Sequence, residues 1–105
     1  MTDKLLVLTT SGSEAEARKI AQALVERRLA ACVNIVPRIQ SVYRWEGKVE
    51  QVEEFLLLIK TVKAREEEVR AAICELHSYD VPECIAIPIE SGSAEYLKWL
   101  SDSVR

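Results

Sequence analysis

A chain of 105 residues, 49% apolar and 30% charged, has the size and balance of one globular domain and excludes a disordered segment. Its formal charge of −3, with no basic run longer than Arg27-Arg28, argues against nucleic acid or an anionic membrane as the main partner. Cys32, Cys74 and Cys84 form no CxxC pair, and no apolar run is long enough for a secretory signal or a membrane span. Together these point to free thiols and a cytoplasmic location.

Leu5 to Thr9 is a short apolar run stopped at Gly12, the pattern of a buried first strand. Ser13-Glu14-Ala15-Glu16 fits a capping box with Glu16 reaching back to the cap, and Ala17, Ile20, Ala21, Leu24 and Val25 follow at helical spacing. Ala31 to Trp45 reads as a second strand, in which Pro37 requires a bulge or an edge position. After a turn at Glu46-Gly47-Lys48, the third strand runs from Lys48 to Val62. Its start, VEQVEE, is polar; its end, FLLLI, is continuously apolar and therefore central.

Ala64 to Ser78 forms a second helix, with Glu66, Glu67 and Glu68 at the positive end of its dipole and Val69, Ala72, Ile73 and Leu76 as its buried stripe. YDVPE is a turn, Cys84 to Ile89 a fourth strand, and Gly92 precedes a terminal helix carrying Tyr96, Leu97, Trp99 and Leu100. The order βαββαβ plus a helix predicts an α+β, ferredoxin-like sandwich, one domain over residues 1–105. Right-handed crossovers place both main helices on one face of a four-stranded antiparallel sheet.

Hairpin arms of about 14 residues span roughly 45 Å, whereas a domain of this size is about 35 Å across. The overhanging tip leaves Val42, Tyr43 and Trp45 wet in a monomer, so a homo-oligomer is expected, with Tyr43, Trp45, Glu50 and Glu54 at its interface.

The segments AACVNIVPRIQSVYRWEGKVEQVEEFLLLIKT and ELHSYDVPECIAIPIESGSAEYLKWL closely resemble the CutA divalent-cation tolerance family over nearly the whole chain. The resemblance implies a tight homotrimer with long strands joining the sheets of neighbouring subunits. It also implies an intracellular role in tolerance of copper and other divalent ions, without a defined catalytic activity. The trimer is similar in design to the PII signalling proteins, which makes a signalling or scaffold trimer with a non-metal effector the alternative. Family members assigned a copper site use a cysteine late in the first strand and two adjacent histidines; the matching positions here are Thr9, Leu76 and His77, with Ser78 where a proline follows.

His77, the only histidine, is either a helix cap or a metal ligand, and Cys32 either a small core residue or a soft-metal thiolate. Cys74 is half of an i, i+3 pair with His77 or a core residue; Cys84 reads as core. Glu50, Glu53, Glu54, Asp80 and Glu83 are surface carboxylates that threefold symmetry could gather into a hard-ion cluster. A lysine in a central strand is costly unless paired, so Lys60 is expected near Glu83 or Tyr79, in an ion pair or an anionic-ligand pocket. No nucleophile–base set, Gly-rich phosphate loop or HExxH motif is present, so the chain is expected not to be an enzyme. A divalent cation, Cu²⁺ or Zn²⁺, is the expected cofactor, one that folding does not need.

Overall fold

Every second residue of Lys4–Ser11 (β1) is buried, namely Leu5, Val7, Thr9 and Ser11, and this alternation fixes which face of the sheet carries the core. The computed structural model describes residues 2–104. After β1 come Glu14–Glu26 (α1), Cys32–Trp45 (β2), Lys48–Val62 (β3), Glu66–Leu76 (α2), Ile85–Pro88 (β4) and Ala94–Ser103 (α3). The four strands form an antiparallel sheet in the order β2-β3-β1-β4, so the FLLLI half of β3 is central, as its apolar run requires. This is the ferredoxin-like arrangement with a long β2–β3 hairpin and an added C-terminal helix.

Leu5 and Val7 of β1, Leu57 and Ile59 of β3, Ile20 and Leu24 of α1, and Val69 and Ile73 of α2 pack into one core. Both crossover helices therefore lie on one face. α3 lies on the other, where Leu100 and Val104 pack with Ala31 and Val62. None of the described helices is long and apolar enough to cross a membrane.

Pro37 satisfies both of its requirements at once: β2 is an edge strand, and its register with β3 breaks between Val36 and Ile39. Arg38, inside that bulge, takes a positive φ of 59°. At the hairpin tip Trp45 pairs with Lys48, leaving Glu46 and Gly47 as a two-residue turn with φ of 50° and 80°. Two positive values in succession match the type I′ turn, whose twist suits the flanking strands. The longest dimension of the molecule is 44 Å, equal to the span expected of one hairpin arm.

Several boundaries differ from the sequence reading. β1 continues to Ser11 because its polar end stays paired, Ser11 with Phe55. α2 begins after a 3-10 turn at Lys63–Arg65 and ends at Leu76, where His77 turns extended. β4 covers only Ile85–Pro88, although the Ile89 amide still donates to the Lys4 carbonyl at 3.0 Å. The capping box at α1 is half formed: Ser13 Oγ accepts from Glu16 N at 3.1 Å, but the Glu16 carboxylate accepts from Ser11 Oγ instead of the cap amide.

Thr9 is fully buried and its Oγ1 has no hydrogen-bond partner among the described residues. An unmade bond of this kind costs free energy that an isosteric methyl does not. Thr9→Val should therefore leave stability unchanged or raise it by about 1 kcal/mol in urea unfolding. A loss of that size would show that the hydroxyl has a partner.

Candidate functional site

The outer half of the hairpin and the segment after α2 enclose an open-sided cavity of about 660 Å³. Ser41, Tyr43 and Trp45 of β2, Glu54 of β3, and Tyr79, Asp80 and Glu83 of the connecting segment line it. Three aromatic rings and three carboxylates face this space, with no lysine or arginine.

His77 stands behind one wall, next to Ser78 and Tyr79, which line the cavity. Its side chain is 0% exposed, and its Nε2 lies 2.6 Å from the Thr10 carbonyl, so that nitrogen carries the proton and donates. Nδ1 accepts from the Tyr79 amide at 3.1 Å, with Glu16 Oε1 3.3 Å away. This histidine thus clips the segment leaving α2 to the end of β1. Tyr79 then crosses Gly12: a Cβ there would come within 2.9 Å of the Tyr79 hydroxyl, so a glycine is what lets the ring reach β3. The hydroxyl donates to Glu54 Oε2 at 2.7 Å. Gly12→Ala should displace Tyr79 and break that bond while sparing the core; a crystal structure of the variant retaining the 2.7 Å contact would refute the account.

Electrostatics follow from this packing. Burial first, and then the bond to Glu54, push the Tyr79 phenol well above its ordinary value, so it stays a donor. Glu16 is held below its ordinary value: burial opposes this, but hydrogen bonds from Ser78 and Ser11 outweigh it. Burial and the Glu54 charge raise Glu83. A carboxyl raised on folding adds no penalty below its unfolded value and a full penalty above its folded one. Glu83→Gln should accordingly stabilise the protein at pH 7 and not at pH 4, compared by thermal melting. Equal shifts at both pH values would contradict this.

Among the residues singled out in the sequence, Tyr79 and Glu83 do line one cavity, with Tyr43 and Trp45. Lys60 does not join them. It stands six residues along β3 from Glu54, about 20 Å, and its Nζ lies 5.8 Å from the Tyr96 ring centroid of α3. The lysine is stabilised by a cation–π contact instead of an acidic partner. Glu54, expected at an interface, is 4% exposed and buried within its own subunit. Glu50 pairs across the hairpin with Tyr43. Cys74 is exposed and not core, whereas Cys84 packs against the core.

His77 and Cys32 are not brought together in one subunit. Cys32 pairs with Lys60 at the far end of β3, and its thiol faces Asn34 Oδ1 at 3.7 Å. Both nitrogens of His77 are already engaged by backbone groups. Thr9 offers a buried hydroxyl and not the thiolate that the resemblance implies for a copper site, so these residues do not fit a soft-metal site. No group of three or more His, Cys, Asp or Glu among the described residues is placed to hold a metal ion. The burial of Glu54 without a cationic partner and the Gly12–Tyr79 contact escaped sequence reading, because both depend on register across the sheet.

The family model for the CutA1 divalent ion tolerance protein matches residues 5–103. The divalent-cation tolerance protein CutA of Thermus thermophilus is 51% identical over 98 residues, covering 93% of this chain and 95% of its own. The chloroplastic protein CutA of Arabidopsis thaliana is 48% identical over 96% of this chain, which spans 56% of that relative. Among solved structures, the periplasmic divalent cation tolerance protein CutA of Archaeoglobus fulgidus superposes with a TM-score of 0.94 at 43% identity, covering 97% of this chain and 99% of that one.

Proposed function

The chain belongs to the CutA1 divalent ion tolerance family, and on that premise we propose that it serves tolerance of divalent ions, copper included, as a cytoplasmic homotrimer. It binds metal ions or a small ligand where subunits meet, and catalyses no reaction. The observation that carries this reading is the exposed apolar hairpin beside the lined cavity: Val42 is 64% exposed and Trp45 44%, on an edge strand with unpaired backbone groups. Such a surface is an aggregation hazard unless a further copy covers it. Ile85 and Ile87 of the other edge strand are exposed as well. Carboxylates that do not converge on a metal within one subunit can do so when symmetry repeats them three times.

The second reading, a trimer whose effector is not a metal, is favoured by the engagement of both His77 nitrogens. Isothermal titration of the tag-free protein with Cu²⁺ and Zn²⁺ separates the two. Saturable heat that survives Cys32→Ser but is lost in a Glu50→Gln/Glu83→Gln variant supports metal binding at the boundary. No heat with either ion, together with saturable binding of a metabolite, supports the second reading.

A further inference from the structure

We propose that the cavity between the hairpin and residues 78–83 is a receptor for one organic cation, a guanidinium or alkylammonium group, paired with Glu54. The proposal rests on reading this cavity as a ligand site and names the class of ligand.

Glu54 is 4% exposed and its hydrogen-bond partner is the Tyr79 hydroxyl on Oε2. No lysine, arginine or histidine among the described residues lies within ion-pair distance of it. A carboxylate this buried is costly without a counter-charge, and a tyrosine hydroxyl supplies none. Its side chain lines the cavity, where Asp80 and Glu83 add negative charge and no basic residue offsets it. The raised Glu83 fits a neighbouring charge left uncompensated.

Shape and chemistry choose the kind of cation. A divalent metal needs several donors converging at about 2.0–2.6 Å, and no such group is present among the described residues. The rings of Tyr43, Trp45 and Tyr79 instead line the same space, and aromatic faces attract large, weakly hydrated cations. A guanidinium also matches a carboxylate with two parallel hydrogen bonds. The volume of about 660 Å³ suits a small molecule. The same chemistry could reach Glu54 from a free ligand or from an arginine or lysine of a neighbouring copy.

Trp45 fluorescence in a Trp99→Phe background gives a local readout, with butylguanidinium as probe and butylurea as its uncharged counterpart. A free-ligand site predicts saturable binding of butylguanidinium, no binding of butylurea, and a dissociation constant raised about tenfold or more by Glu54→Gln. A neighbour-supplied cation predicts no binding of either probe but weaker self-association of Glu54→Gln on dilution. Glu83→Gln, at an exposed position, should weaken whichever effect is seen by a few-fold, which keeps the test decisive should Glu54→Gln fold poorly. Equal binding of both probes, or no effect of either variant on binding and assembly, overturns the proposal. A monomeric mass overturns the homotrimer reading instead, independently of cation binding.

Discussion

Replacing Trp45 by alanine should weaken subunit association by about 2–4 kcal/mol, one and a half to three decades in dissociation constant, while each subunit keeps its fold. Trp45 closes the hairpin beside the two-residue turn, pairing with Lys48, and is 44% exposed. The core lies at the other end of the molecule, among Leu57, Ile59, Ile20 and Ile73, and does not involve it. Truncation therefore removes surface available to a neighbouring copy without opening a cavity in the subunit. Sedimentation over a dilution series reads the effect, and circular dichroism confirms the fold. A variant that assembles as tightly as the parent would show that the hairpin tip is not an interface.

The second large effect concerns His77, whose replacement by alanine should cost about 2–4 kcal/mol of stability. The change removes the bond to the Thr10 carbonyl and the acceptor for the Tyr79 amide, and leaves a void where the side chain is 0% exposed. Both orphaned backbone groups lie where α2 hands over to the cavity wall, so Tyr79 should lose its place above Gly12. Urea unfolding measures the loss. Copper affinity should change far less than stability, because neither imidazole nitrogen is free to coordinate. A sharp loss of copper binding with little change in stability would restore His77 as a ligand.

Local signals made most of the fold legible. The apolar run Leu56-Leu57-Leu58-Ile59 marked a central strand, Pro37 marked an edge with a bulge, and Glu46-Gly47 marked the tip. The end of α2 was less visible, because His77 leaves the helix to bond a carbonyl distant in sequence. The exposure of Cys74 was readable in principle, since it lies off the stripe of Val69, Ala72, Ile73 and Leu76.

The site was legible only in part. Tyr79 and Glu83 stood out, yet the partner of Tyr79 is Glu54, which pairs with Ile39 across the bulge and is reached by Tyr79 from another element. Lys60 looked like an electrostatic anomaly, but the even-numbered positions at the end of β3 face α3, where the Tyr96 ring takes the charge. Sequence gives residue type and period; it does not give the register that decides which charges meet.

The mass of the tag-free protein in solution tests the central claim most directly. Static light scattering on dilution through the micromolar range should give three chains of 11.9 kDa each, with the complex persisting throughout. A stable single-chain mass at micromolar concentration would contradict the account.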